Sequence, residues 1–314
     1  MLSDPAAKAN SLEMARLLKN PKVWFLGIIV SLISLHLSLT WSLTKDADRL
    51  SISVLVWAAV IYLLWNKRSH LNVQSEAISS FFGLLLTALV LVKSVSVFWF
   101  ESDFLRILPL VAALGVGLLA SGIRGLKQYG QEFLIISLLA IPDGLLLGPI
   151  EKIFQVSLIT AKFSGLILWY LGFEISRQGV VLILPTGAVE VNPGCNGLNT
   201  MFLLFRLSII FLIMFPFNSF KRFFLPLIAV LLAFMINSVR VGLLALLVSY
   251  SNLEAFEYWH LGTGSQIFAM IAVIAFAWVC SLLGEQEEFE AEEFEAEELE
   301  AEELEDESPT DAAS

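Results

Sequence analysis

Seven stretches of this chain, at about 23–43, 50–66, 77–100, 104–122, 196–216, 223–248 and 264–283, are each close to the roughly 20 apolar residues that one helical crossing of a bilayer needs. An eighth, about 132–149, is shorter and is interrupted by Pro142 and Asp143. A soluble fold would have to bury nearly all of this surface. In a bilayer, lipid solvates the apolar side chains, and the remaining demand is internal satisfaction of the backbone, which helices meet. Composition agrees. Of 314 residues, 57% are hydrophobic and 16% charged, against roughly a quarter charged in soluble domains. The fold class expected is an all-α polytopic membrane protein with about eight transmembrane helices.

The net charge of −11 is unevenly spread. From Glu285 onward the chain carries 16 acids and no Lys or Arg, which leaves 14 acids against 19 bases, a net of +5, in residues 1–284. The end of the chain repeats EEFEA, EEFEA, EELEA and EELED. A period of five turns about 140° per repeat on a helix, so its Phe and Leu residues form no single stripe. Residues 284–314 are therefore expected to be an acidic, low-complexity, disordered cytoplasmic tail. Residues 1–22 are polar, with no small-residue cleavage site after the first apolar run, and are expected to be a cytoplasmic segment. That leaves 23–283 as the membrane domain. The two cysteines, Cys195 and Cys280, give no sign of a disulfide framework.

Orientation follows from the basic residues, which cytoplasmic loops hold in excess. Lys8, Arg16, Lys19 and Lys22 precede the first span, Lys67 and Arg68 follow the second, Arg124 and Lys127 follow the fourth, and Lys221 and Arg222 precede the seventh. These alternate correctly for eight spans with both termini in the cytoplasm. The segment 150–195 resists assignment. Residues 153–173 are apolar enough to cross, but Glu151, Lys152, Gln155 and Lys162 make them look amphipathic. A crossing there would turn Lys221 and Arg222 outward, so an interfacial or partly embedded helix on the outer side is expected. Two β-rich runs, Val180 to Leu184 and Ala188 to Val191, flank Pro185-Thr186-Gly187 and suggest a small outer β-hairpin.

Ionisable residues inside a bilayer are costly, and each is a candidate for function. Arg206 and Arg240 sit within spans; Lys93 and Asp143 lie nearer a span end or break. Arg206 either pairs with Asp143 or lines a site. A tighter constellation stands on the expected outer side. Cys195 begins the sixth span in Asn192-Pro193-Gly194-Cys195-Asn196-Gly197, Arg240 lies in the seventh within Asn237-Ser238-Val239-Arg240, and His260 lies in the loop before the last.

These residue types suit covalent catalysis. A thiolate is the nucleophile, and a helix N-terminus lowers a thiol pKa. Gly194 and Gly197 permit a tight turn, and exposed N–H groups there are candidates to hold an oxyanion. His260 is placed to take the thiol proton and return it to a leaving amine. Arg240 is a permanent cation with five donors, suited to an oxyanion or to orienting substrate. A transporter or channel with Arg206, Arg240 and Asp143 along its pathway, and a non-catalytic scaffold, remain open on the same residues.

Cys195-Asn196-Gly197-Leu198, Asn237 to Arg240 and His260 resemble the motifs of the exosortase/archaeosortase family of membrane transpeptidases. That family carries a Cys-Ser-Gly-like motif at a span start, Asn-x-x-Arg in the next span, and His or Arg before the last. The hairpin ending Val189-Glu190-Val191 is similar too, and the resemblance covers about residues 20–283. Asn196 stands where Ser is usual, and the Asn-Pro-Gly-Cys-Asn-Gly form resembles the cyanobacterial branch, the cyanoexosortases. The resemblance implies a cysteine-type endopeptidase and transpeptidase of the bacterial plasma membrane, with its site on the outer side. Its partners would be exported proteins ending in a Pro-Glu-Pro-like motif (a PEP-CTERM-type signal), a transmembrane helix and a basic cluster, with membrane lipid around it, a surface acceptor and no nucleic acid. Cys195 would be the nucleophile, His260 the base and acid, and Arg240 the stabiliser of the oxyanion, with Gly194, Asn196, Gly197, Asn237 and Arg206 in support. No metal or other cofactor is implied.

Overall fold

The computed structural model describes residues 21–96, 102–215 and 217–283. The expectations for the N-terminal segment, for the end of the third span and for the acidic tail fall outside the described residues. Eleven α-helices are described: α1 Pro21–Thr44, α2 Ala47–Asn66, α3 Ala77–Ser96, α4 Ser102–Gly125, α5 Gly130–Ala140, α6 Asp143–Phe154, α7 Val156–Tyr170, α8 Leu198–Met214, α9 Ser219–Ser249, α10 Leu253–His260 and α11 Thr263–Leu283. Between α7 and α8 lies a three-stranded antiparallel sheet, β1 Ser176–Gln178, β2 Val181–Leu184 and β3 Gly187–Glu190, in the order β1-β2-β3. The chain is an all-α polytopic membrane protein with a small sheet, as its sequence indicates. Among the described residues, length and composition make six helical stretches able to cross a bilayer, or seven if α6 and α7 form one bent crossing.

The count falls below the expected eight for local reasons. The eighth stretch, 132–149, is not one helix. Pro142 pushes the residue before it out of the helical region, and Ile141 is extended at φ −74° and ψ 117°. The stretch divides there into α5 and α6. The sixth, expected from 196, begins only at Leu198 and has 17 residues.

The described residues divide into two compact units, the first holding those up to 146 together with 209–215, the second the remainder. In the first, α5 folds back along α4: Ser121 Oγ and Tyr129 Oη are 2.8 Å apart across the turn. At the same end, Lys67, just after α2, reaches the buried Glu132 on α5 at 2.8 Å and the carbonyl of Gln128 at 3.1 Å. Asp143 lies 4.0 Å from Arg106 of α4. In α1, His36 accepts a hydrogen bond from the Trp57 indole of α2 at 3.1 Å.

In the second unit, β2 and β3 form the expected hairpin, with Val181 opposite Glu190 and Leu184 opposite Gly187. Strand β1, not anticipated, adds to the far side of β2. Leu182, Leu184, Val189 and Val191 point to one face and pack with Ala161 and Leu168 of α7 and Val241 and Ala245 of α9. The hairpin tip is fixed to the end of α9, where the Thr186 hydroxyl bonds the Ser249 carbonyl and lies 2.8 Å from the Ser249 hydroxyl.

Helix α7, expected to be interfacial or partly embedded, packs against a long apolar helix of the same unit. It runs alongside α9, with Phe163 against Phe234 (ring centroids 5.3 Å apart), Ser164 Oγ donating to the Ser238 carbonyl at 2.9 Å, and Leu168 over Gly242. The residue numbers rise together, so the two helices point the same way. The buried face of α7 is Val156, Ser157, Thr160, Ala161, Ser164 and Leu168. Small residues at helical spacing let backbones approach where lipid offers no hydrophobic drive between helices. Lys162, one of the residues that give the segment its amphipathic look, stays exposed beside this stripe. A left-handed Gln155, at φ 50° and ψ 51°, makes the 63° bend between α6 and α7.

Close approach also governs α3 against α4. A Cβ on Gly83 would lie 2.7 Å from the Leu119 amide nitrogen and 2.8 Å from the Gly115 carbonyl oxygen, both immovable backbone. Gly83→Ala is expected to destabilise the protein by about 1–3 kcal/mol through overpacking. A thermal melt of the detergent-solubilised protein checks this, and an unchanged midpoint contradicts it.

Candidate active site

The loop Asn192–Gly197 leaves β3 and enters α8, and it is built around its own first residue. The Asn192 side chain accepts the Gly194 amide at 2.9 Å, and its carbonyl accepts the amides of Cys195 and Asn196, each at 3.0 Å. This tight turn places Cys195, 2% exposed, beside Val191 and Val241. Gly197 then takes φ +89°, and a Cβ there would lie 2.6 Å from the Asn237 amide. Both the left-handed backbone and the missing side chain are needed.

Asn237, 3% exposed, reaches from α9 and donates to the Cys195 carbonyl at 2.9 Å. Its oxygen faces Arg240 Nη1 at 3.4 Å, one helical turn away. Arg240 in turn donates from Nη2 to the His260 carbonyl at 2.8 Å and from Nε toward the Trp259 carbonyl at 3.4 Å. Those carbonyls belong to the last turn of α10, which has no partners of its own for them. A guanidinium carries five N–H groups. Three are used, so one N–H on each terminal nitrogen is left among the described residues. The His260 ring is half-buried and packs 5.0 Å from the Phe256 ring, centroid to centroid.

Cys195, Arg240 and His260 therefore belong to one hydrogen-bonded cluster, with Asn237 as the link. The expected helix-terminus activation is different in detail. Helix α8 starts three residues after Cys195, and the amides of Gly194, Cys195, Asn196 and Leu198 are already bonded within the loop. They are not available to an oxyanion in this conformation. The thiol faces the carbonyls of Asn192 at 3.5 Å and Glu190 at 3.8 Å. Burial pushes the Cys195 thiol above its ordinary value; the Asn192 hydrogen bond and the Arg240 charge pull against this, and Glu190 adds to it. Burial first, then the Arg240 cation, lowers the His260 imidazole below its usual 6.5. A neutral thiol and a neutral imidazole are the resting state near neutral pH.

Asn196 is fully buried and uses every polar group it has. Its amide nitrogen donates to Glu151 Oε2 at 2.8 Å and to Ser157 Oγ at 3.1 Å, its side-chain oxygen accepts the Leu198 amide at 3.0 Å, and its carbonyl accepts from Thr160 at 3.0 Å. Sequence reasoning missed Glu151, Ser157 and Thr160, which stand some 35–45 positions earlier with no motif to mark them. Arg206 sits buried on α8, about 12 Å along the helix from Leu198, with its guanidinium 4.1 Å from the centre of the Phe202 ring.

The profile of the transmembrane exosortase family (Exosortase_EpsH) matches residues 41–277. The chain belongs to the transmembrane exosortase family. No curated protein and no solved structure matches it. The family match spans the loop of Cys195, both Asn237 and Arg240, and His260, so the exosortase portion contains the whole cluster. Membership also agrees with the apolar helices in making this a multi-pass membrane protein concerned with protein sorting.

The Arg240 charge favours the thiolate, so removing it raises the Cys195 pKa further. Arg240→Gln is expected to move the pH midpoint for Cys195 alkylation upward. Peptide-resolved labelling of the full-length protein across pH measures this; an unchanged or lowered midpoint contradicts the electrostatic link.

Proposed function

We propose that this exosortase is a cysteine-type transpeptidase that cleaves the C-terminal sorting signal of exported proteins and transfers them to a surface acceptor. The observation that carries the reading is the continuous path from the Cys195 backbone carbonyl through Asn237 and Arg240 to the His260 backbone carbonyl, which gathers three distant chain segments at the backbone of the cysteine. Such a gathering has no evident use in a scaffold. Family membership supports the substrate class.

The chemistry runs in two halves. Cys195 turns from the backbone carbonyls, gives its proton to the neutral His260 imidazole, and its sulfur attacks the scissile carbonyl carbon. Negative charge grows on the carbonyl oxygen, and the two N–H groups remaining on Arg240 are the donors proposed to meet it. The C–N bond then breaks, the leaving amine takes the proton from His260, and a thioester remains on Cys195. In the second half the acceptor nucleophile loses its proton to His260 and attacks the thioester carbon; the C–S bond breaks and the thiolate recovers the proton. The fixed Arg240 charge helps because it favours the thiolate while disfavouring a resting imidazolium.

Residues 23–283 are the proposed catalytic membrane domain, in a bacterial plasma membrane with both termini cytoplasmic and Cys195 outside. The alternating positions of Lys67, Arg124 and Lys221 support that orientation. The proposed signal is a Pro-Glu-Pro-like motif followed by a transmembrane helix and a basic cluster, so that the helix is held in the bilayer while the bond is cut at its outer edge. Asn196 after the nucleophile supports a cyanobacterial-type enzyme. In support of Cys195, Gly194 forms the turn, Asn196 and Gly197 shape the loop, and Asn237 holds its carbonyl. Arg206 is proposed as a second binding group farther along α8.

Cys195→Ala and Cys195→Ser are expected to leave a reporter bearing such a signal uncut, with the abundance and melting of the variant protein unchanged. Processing is read as conversion of precursor to mature reporter in cells. Normal processing by Cys195→Ala overturns the reading, and a transporter would be indifferent to the change.

A further inference from the structure

We propose that Glu151, at the end of α6, is a positioning residue that sets the nucleophile through its hydrogen bond to Asn196; this rests on the reading of Cys195 as nucleophile. Three observations converge on it. First, Glu151 Oε2 accepts the Asn196 amide at 2.8 Å, the shortest hydrogen bond made by that side chain. A carboxylate acceptor makes a stronger bond than a neutral one. Second, both Glu151 oxygens lie 3.2 Å from the Ser157 amide, in the first turn of α7. There the carboxylate satisfies an orphan helix donor and meets the positive end of the helix dipole. Third, the residue so held is next to Cys195 and is 0% exposed, so it cannot exchange a lost partner for water.

The peptide joining Cys195 to Asn196 is thereby gripped from two sides. Asn237 holds the Cys195 carbonyl from α9, and Glu151, Ser157 and Thr160 hold Asn196 from α6 and α7. Glu151 is the one charged member of the second grip. It touches neither the thiol nor, in the proposed reaction, any reacting atom. Its effect is to keep the loop in the one conformation that puts the sulfur beside Arg240. Without it, Asn196 has a buried donor with no acceptor, and the loop has reason to rearrange.

The test exploits donor and acceptor polarity. Glu151→Ala removes the grip, and Asn196→Asp sets two carboxylates face to face. In the pair Glu151→Gln with Asn196→Asp the bond is restored with its polarity reversed. The glutamine amide then donates to the new aspartate, the glutamine oxygen accepts the Ser157 amide, and the aspartate still accepts the Leu198 amide. Full-length protein in its membrane is treated with N-ethylmaleimide, and the rates at Cys195 and at Cys280, buried in α11, are measured separately by mass spectrometry. Each single change is expected to speed alkylation of Cys195 about tenfold, on the scale of one lost hydrogen bond to a charged group, with Cys280 unchanged. Reporter processing should slow in parallel. The pair should return both readings to within about threefold of the starting protein, as coupled neighbours do.

The proposal is overturned if Glu151→Ala leaves Cys195 labelling or processing unchanged. It is equally overturned if Cys195 and Cys280 speed up together, which would mark general loss of structure, or if the pair behaves no better than Asn196→Asp alone. Alkylation reads the grip on the loop whether or not the thiol is the nucleophile. The nucleophile itself stands or falls on Cys195→Ala processing, so the two claims fail separately.

Discussion

The inner end of the loop, residues 195–198, is buried among apolar helices and must find its hydrogen-bond partners inside the protein, because neither lipid nor bulk water supplies them. The segment Asn192–Leu198 meets this demand from several directions. Its own first residue accepts three amides, α9 supplies Asn237, α6 and α7 supply Glu151, Ser157 and Thr160, and Asn196 caps the entrance to α8. The helices of the second unit are held by that requirement as much as by side-chain packing. The path of α7 beside α9 places Ser157 and Thr160 one turn apart along the helix, where both reach Asn196. The hairpin, anchored by Thr186 on the end of α9, delivers Cys195 to the same place. Remove the need to satisfy this loop, and little explains why α6 breaks sharply into α7 at Gln155.

The electrostatics follow from the same burial. A low-dielectric site favours the neutral thiol and the neutral imidazole, and both shifts at Cys195 and His260 have burial as their largest cause. Arg240 opposes the first and reinforces the second. The thiol and the imidazole therefore rest neutral beside a guanidinium that spends three of its donors on protein oxygens and keeps two. A thiol held protonated among carbonyls is protected from chance oxidation, since the thiolate is the reactive form. This arrangement is the reverse of a permanently activated cysteine.

Much of this was legible in the sequence because bilayer crossing and short motifs leave local marks. The long apolar runs, the hairpin around Pro185-Thr186-Gly187, and the grouping of Cys195, Asn237, Arg240 and His260 all follow from pattern and spacing. Other features are relations between distant residues and leave no such mark. Strand β1, with the sequence Ser-Arg-Gln, is too short and polar to show periodicity. The charges of 151–162 look like an amphipathic face, but Glu151 is a partner for Asn196, and the small residues between them form a packing stripe against α9. Pro142 was visible as an interruption, while its consequence, two helices in place of one, depended on Ile141 yielding. The turn that presents Cys195 also engages the amides of Gly194, Cys195, Asn196 and Leu198, a local cost that no sequence pattern marks.

The central claim is that Cys195 forms a covalent bond to the substrate. Its most direct measurement is intact and peptide mass spectrometry on full-length protein quenched during turnover of a signal-bearing substrate. The account predicts the upstream fragment joined to Cys195 through a bond that neutral hydroxylamine cleaves, as a thioester requires. Turnover with Cys195 unmodified at every time point, or with the fragment attached to another residue, would contradict it.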